Sequence, residues 1–164
     1  MNYQGIQDTS LVDGSGIRAV LWVSGCDHHC KGCHNPGTWN PDSGMVWITG
    51  AQEYLFHLME KNQSVRDGIT LSGGDPMYPG NRKTILSLCK AFRHRFGDRK
   101  TIWMYTGYRL EEIQDDPILQ YIDVLVDGEY VEELRSEPYP WAGSTNQRVL
   151  QRTKDGTWRP YHDM

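Results

Sequence analysis

Ile17-Arg18-Ala19-Val20-Leu21-Trp22-Val23-Ser24-Gly25-Cys26-Asp27-His28-His29-Cys30-Lys31-Gly32-Cys33-His34 is the stretch on which the fold turns. Residues 17–24 are almost continuously apolar, the pattern of a strand covered on both faces. Gly25 ends the run, and three cysteines follow within eight residues. A buried strand that opens at its carboxyl end into a loop of metal-ligand side chains is the layout of an α/β protein with a site on that edge.

Outward from this stretch, strand-like and helix-like segments alternate. A polar, Pro- and Gly-punctuated stretch covers 35–44, and a helix is predicted from Thr49, with Thr49 and Gln52 at capping-box spacing, to about Asn62. A second strand is predicted over 68–72, ending in Gly73-Gly74-Asp75-Pro76. The next helix covers 81–96, with Ile85, Leu88, Cys89, Phe92 and Phe96 on one face. A third strand over 101–105 leads to Thr106-Gly107, and short helices start at Leu110 and Pro117. A fourth strand over 123–126 leads to Asp127-Gly128. Beyond Arg135 the chain reads as irregular and aromatic, with a last strand near 147–151. Consecutive parallel strands joined by helices in one domain, 1–164, are the expectation.

The 164 residues fall short of the roughly 250 that a closed eight-unit β/α barrel takes. With 38% hydrophobic and 23% charged residues and a net charge of −4, the composition is globular. A mildly acidic chain is a poor non-specific binder of nucleic acid. No apolar run approaches the ~20 residues of a membrane helix, and Met1-Asn2-Tyr3-Gln4-Gly5 lacks the basic and apolar regions of a signal peptide. Cys89 stands apart from Cys26, Cys30 and Cys33 and reads as a core residue. Three clustered thiols without an even disulfide framework point to a reducing, cytoplasmic setting.

Thiolates at the spacing of Cys26, Cys30 and Cys33 suit zinc or an iron–sulfur cluster. Zinc would need a fourth ligand, which His28, His29 or His34 could supply, whereas a cubane cluster held by three cysteines keeps one iron open. Spacing alone leaves the two readings level. The adjacent Gly73-Gly74-Asp75-Pro76 turn, on the same carboxyl edge, favours a site where a ligand meets the metal.

The CxxxCxxC of Cys26, Cys30 and Cys33 resembles the signature of radical S-adenosylmethionine (SAM) enzymes. More narrowly, the chain resembles the activating components of anaerobic, class III ribonucleotide reductases. This resemblance runs through Asp13-Gly14-Ser15-Gly16-Ile17-Arg18, residues 25–39 with Asn35 and Trp39, Leu71-Ser72-Gly73-Gly74-Asp75-Pro76, Trp103-Met104-Tyr105-Thr106-Gly107-Tyr108, Asp123-Val124-Leu125-Val126-Asp127-Gly128 and Gly143-Ser144-Thr145-Asn146-Gln147-Arg148. It implies an open, incomplete β/α barrel of mostly parallel strands. It implies that Cys26, Cys30 and Cys33 ligate a [4Fe–4S] cluster and that SAM's amino and carboxylate groups chelate the open iron. Gly32, Cys33 and His34 would line SAM beside the cluster, and Gly73, Gly74 and Asp75 would approach its amino group. The substrate it implies is a backbone glycine in the large subunit of the reductase.

His34 stands where a tyrosine is frequent, and Cys-His-Asn-Pro resembles the sister activases of pyruvate formate-lyase, which are usually longer. A zinc-binding adaptor without catalysis is the alternative of a different class. Thr106 and Asp127 end strands on the ligand edge, where both would line the SAM pocket and Asp127 would hold a cation near the SAM carboxylate. Arg18 is either a family-specific residue or the partner of a surface carboxylate. Seven of 17 basic residues lie between Arg82 and Lys100, a candidate dock for an acidic donor such as reduced flavodoxin, and ten of 21 acidic residues lie between Glu111 and Glu137. The tail 138–141 would cover an open sheet edge or contact the reductase.

Overall fold

In the computed structural model, which describes residues 1–60, 65–137 and 140–162, strands and helices alternate as the sequence suggests. The elements are β1 (Asn2–Ser10), β2 (Arg18–Val23), β3 (Met45–Val46), α1 (Thr49–Glu60), β4 (Gly68–Gly73), α2 (Arg82–Phe96), β5 (Thr101–Tyr105), α3 (Leu110–Ile113), β6 (Val124–Asp127), β7 (Arg148–Arg152) and β8 (Trp158–Pro160). Among the described residues the strands form one eight-stranded sheet in the order β3-β1-β2-β4-β5-β6-β7-β8.

Strands β2, β4, β5 and β6 run parallel, with Leu21 opposite Leu71, Leu71 opposite Met104 and Met104 opposite Leu125. Antiparallel strands flank this centre: β1 and β3 beyond β2, β7 and β8 beyond β6. The sheet is therefore mixed, and β1, β3 and β8 add to the strands expected from sequence. The helix predicted to end near Asn62 is observed to Glu60, and residues 61–64 lie outside the described residues. Its first turn is closed by Ile48 O, which accepts from Ala51 N and Gln52 N, so the cap falls one residue before Thr49.

Period-two alternation gives the sheet two different faces. Ala19, Leu21, Val23, Ile69, Leu71, Ile102, Met104 and Leu125 pack beneath the helices, against Leu55, Phe56, Ile85, Leu88, Cys89, Phe92 and Phe96. Phe56, Phe92 and Phe96 meet with ring centroids 4.8–5.7 Å apart, joining α1 to α2. The opposite face carries Trp103, Val124 and Val126, with Tyr105, Trp141, Ala142, Val149 and Tyr161 packed on them. Trp141 and Tyr161 each meet Trp103 edge-on, so the C-terminal segment covers this face beyond β6.

Arg18 is almost fully buried at the amino end of β2, and among the described residues no carboxylate contacts it. It donates to Thr70 Oγ1 (2.9 Å), Ile69 O (2.7 Å), Thr101 O (2.9 Å), Thr101 Oγ1 (3.0 Å) and Ser15 O (3.2 Å). Burial pulls its pKa down to about 10. The surface ion pair considered for Arg18 is thus replaced by an internal staple across β2, β4 and β5, at the edge opposite the cysteines.

Candidate metal centre

The carboxyl ends of the parallel strands converge on one cavity of about 210 Å³. From β2 come Cys26, His28, Cys30, Cys33, His34 and Asn35; from β4, Ser72, Gly73, Gly74 and Asp75; from β5, Tyr105, Thr106 and Gly107. Val126, Gly128 and Tyr130 follow from β6, and Gly143 and Gln147 from the segment before β7.

Backbone hydrogen bonds hold the cysteine loop against the glycine loop. Asp75 N donates to Gly25 O (2.7 Å), Gly74 N to Val23 O (2.8 Å), Gly25 N to Thr38 O (2.7 Å) and Cys26 N to Trp39 O (3.1 Å). This proximity explains the glycine pair. A Cβ on Gly73 would lie 2.3 Å from Val23 N, and one on Gly74 2.5 Å from Gly25 O. The missing side chains admit the neighbouring backbone, a different reason from the ligand approach expected from sequence.

Cys26, Cys30 and Cys33 are half-buried and free of disulfides. Asn35 N donates to Cys33 Sγ at 3.4 Å, a contact that supports a thiolate. Burial pushes the Cys26 thiol up to about 11 and the Cys30 thiol up as well. Both therefore rest as thiols, and a cationic centre bound by them would release their protons. Of the three histidines, His28 has both ring nitrogens taken by carboxylates, while His29 stacks on Trp39 (4.6 Å) and His34 lies 5.7 Å from Tyr130. Among the described residues no three His, Cys, Asp or Glu side chains converge as ligands of a single ion do. Three thiols spread around one cavity, with His28 occupied elsewhere, suit a cluster with an open corner.

Asp75 is buried, and its carboxylate is fully engaged. Oδ2 faces His28 Nε2 (2.8 Å) and accepts from Thr106 Oγ1 (3.1 Å) and Gly107 N (3.0 Å), while Oδ1 accepts from Met77 N (2.8 Å). His28 Nδ1 lies 3.1 Å from Glu129 Oε1. The hydrogen bond to Asp75, followed by its charge and by Glu129, lifts the His28 pKa to about 9 against the opposing effect of burial. Thr106 thus lines the cavity as expected, with its hydroxyl turned to Asp75.

Two candidates stand elsewhere. Gly32 faces away from the cavity, where a Cβ would lie 2.7 Å from the Glu132 carboxylate. Asp127 is absent from the lining because alternation puts it on the helix side with Leu125, while Val124 and Val126 face the other way. Its carboxylate accepts from Leu110 N (2.8 Å) and Arg148 Nε (3.0 Å) and pairs with Arg148 Nη2. Asp127 therefore locks β6, β7 and α3 together, and the cation role considered for it has no free carboxylate to rest on.

In the sequence His28 stands only as a candidate zinc ligand, and no pattern gives Glu129, Tyr130 or Gln147 a site role. Gln147 Oε1 accepts from Gly143 N (2.8 Å) and Ser144 N (3.1 Å), and its Nε2 donates to Gly128 O (2.9 Å). The Gly143–Gln147 turn thereby pins the wall formed by residues 128–130, a role only its recurrence in the resemblance could have signalled.

A mixed sheet whose parallel centre opens into a three-thiol loop beside a glycine turn has the layout of a cluster-binding domain. The chain matches the family model described as "4Fe-4S single cluster domain" over residues 12–150. It is 42% identical over 164 residues to the anaerobic ribonucleoside-triphosphate reductase-activating protein of Enterobacteria phage T4, covering 99% of this chain and 100% of the relative. It is 40% identical over 155 residues to the protein of that name in Vibrio cholerae (93% and 99% covered) and 38% over 151 residues to that of Escherichia coli K12 (91% and 97% covered). The chain belongs to the family of anaerobic ribonucleoside-triphosphate reductase-activating proteins.

Proposed function

We propose that the chain is an activating enzyme that uses an iron–sulfur cluster and SAM to place a glycyl radical on the large subunit of an anaerobic ribonucleotide reductase. The observation carrying this reading is that the trithiolate loop and the Gly73-Gly74-Asp75 loop open on one cavity. The names of the relatives point to the target. Cys26, Cys30 and Cys33 would hold the cluster. With both bound there, a reduced cluster would supply the electron for cleaving SAM to methionine and a 5′-deoxyadenosyl radical, which would take a hydrogen atom from a backbone glycine. Cys33, His34, Gly73 and Gly74 line the space for the cofactor, with Thr106 and Asp75 behind them. Tyr105 and Val126 add apolar surface to its lining.

The proposed architecture is an open β/α barrel of the radical SAM type, supported by the parallel centre and the aromatic segment over its non-helical face. An open side lets another protein present its glycine. No helix among the described residues is long and apolar enough to cross a membrane, and the net charge disfavours nucleic acid as a partner. A thiolate centre suits the reducing cytoplasm.

The electron donor is proposed to be a reduced, flavodoxin-like protein. Arg93 and Arg95 are unsuited to receive it. Arg93 pairs with Asp123 and donates to Tyr121 O, and Arg95 pairs with Glu53 and Glu60. Both sit in the last turns of α2, near the start of β5, which places them at the sheet edge opposite the cysteines. Exposed Lys83, in the first turn of α2, lies toward the cysteine edge and is the better contact.

Anaerobic reconstitution with iron and sulfide tests the reading. Four irons per chain, SAM cleavage under dithionite and a glycyl-radical EPR signal on the reductase large subunit are expected. A radical formed on pyruvate formate-lyase instead would identify the sister activase. A colourless chain with one tight zinc and no SAM cleavage would overturn the enzyme in favour of an adaptor.

A further inference from the structure

One side chain touches the loops that follow all four parallel strands. His28 leaves the loop after β2, faces Asp75 of the loop after β4 through Nε2 (2.8 Å), and faces Glu129 of the loop after β6 through Nδ1 (3.1 Å). Its ring meets Tyr108, after β5, edge-on at 4.6 Å. It also occupies the space of a side chain at Gly107, where a Cβ would lie 2.4 Å from His28 Cδ2. The imidazole is largely enclosed, with a side-chain exposure of 10%.

The segment it anchors needs anchoring. Residues 26–35 contain no helix or strand, and His29 and Gly32 turn through left-handed conformations. Among the described residues, the backbone-to-backbone bonds from 26–34 to other segments stop at Cys26; the internal one runs from Cys33 N to Cys30 O. Beyond Cys26 the His28 side chain ties the loop to the glycine loop, while exposed Lys31 pairs with Glu133 (3.7 Å) and His34 faces Tyr130. Asp75 in turn is held by Thr106, Gly107 and Met77, so the imidazole is docked onto a rigid carboxylate.

We propose that His28 is the positioning residue of this site: its imidazole clasps the cysteine loop to the loops after β4, β5 and β6, presenting the three thiols to the cavity before any metal is bound. His28 acts through the loop: it borders the cavity, but both its ring nitrogens are taken by Asp75 and Glu129. Its consequence for SAM rests on the function proposed above; its consequence for the thiols does not.

Alkylation of the metal-free chain with iodoacetamide, followed residue by residue by mass spectrometry, reads the clasp directly. In His28→Ala, Cys26, Cys30 and Cys33 are expected to react about tenfold faster than in wild type, while fully buried Cys89 stays protected and reports an intact core. His28→Gln, whose amide can still donate to Asp75, is expected to recover most of the protection. Glu129→Gln, at a largely exposed side chain, keeps the fold and is expected to give a smaller acceleration. In the reconstituted protein, His28→Ala should raise KM for SAM about tenfold with kcat within about twofold of wild type. Unchanged thiol rates in His28→Ala and Glu129→Gln overturn the inference, as does loss of Cys89 protection in both His28 variants. A wild-type chain that fails to bind SAM strikes the proposed function alone. An active wild type beside a His28→Ala chain with wild-type KM and thiol rates strikes this inference alone.

Discussion

Replacing Asp127 with asparagine separates a cofactor role from a structural one. The carboxylate is fully buried and accepts from Arg148 Nε, Arg148 Nη2 and Leu110 N. An asparagine in its place would offer one oxygen where two were engaged and would bring an amide N–H toward the remaining donors. Breaking a buried ion pair from one side costs ~3–5 kcal/mol. Arg148, however, is about one-third exposed and keeps both oxygens of Glu111 at 2.9 Å. The loss therefore falls to about 2–3 kcal/mol. For a chain of this length that lowers Tm by roughly 4–12 °C. Differential scanning calorimetry of wild type, Asp127→Asn, Arg148→Met and the double variant measures it, and the cycle should show that the two losses do not add. Well below Tm, iron content and KM for SAM should match wild type. An Asp127→Asn chain with unchanged Tm and a raised KM would return Asp127 to the cofactor and refute the alternation argument.

Three further outcomes are expected. Cys89→Ala removes a thiol held by burial at a pKa of about 12, so it should cost about 1 kcal/mol of stability and leave iron stoichiometry intact; lost iron would make Cys89 a ligand. Gly74→Ala would force a methyl within 2.5 Å of Gly25 O and 2.9 Å of Thr38 O, and should destabilise the chain by about 1–3 kcal/mol and lower cluster occupancy, as read by denaturant midpoint and iron assay. Arg148 holds the Glu111 carboxyl down to about 2, below its ordinary range. The pairing is therefore fully present above the unfolded-state pKa and is lost as pH falls through about 2, so the Tm gap between wild type and Glu111→Gln should close across that window and narrow in high salt.

Where one rule governs a segment, the sequence was readable. The face of Ile85, Leu88, Cys89, Phe92 and Phe96 packs as its helical period requires, and residues 101–105 form the strand expected of them. The hidden strands lack that simplicity. Asn2–Ser10 is polar, contains Gly5 and pairs with β2 through two register shifts, while β3 has two residues and β8 ends in Pro160. Pairing with an existing edge, and not an intrinsic pattern, makes them strands. The thiols and the glycine pair were legible because ligand chemistry restricts residue type. Asp127 ends a strand on the ligand edge, yet its alternation with Val126 decides its face and turns it to the helix side. Arg18, Arg93 and His28 reach partners from 28 to 101 residues away in sequence, and no local pattern encodes them.

The wall of residues 128–130, pinned by the Gly143–Gln147 turn, has a temporal consequence. During synthesis Cys26, Cys30 and Cys33 precede the side chains that close the cavity over them, Glu129 and Gln147, by about a hundred residues. For most of elongation the thiols belong to a nascent chain without Glu129 to clasp His28 or Gln147 to brace the wall. The cavity that would receive a cluster is thus closed only once Gln147 has been made, and air reaching the chain before then meets all three thiols unshielded.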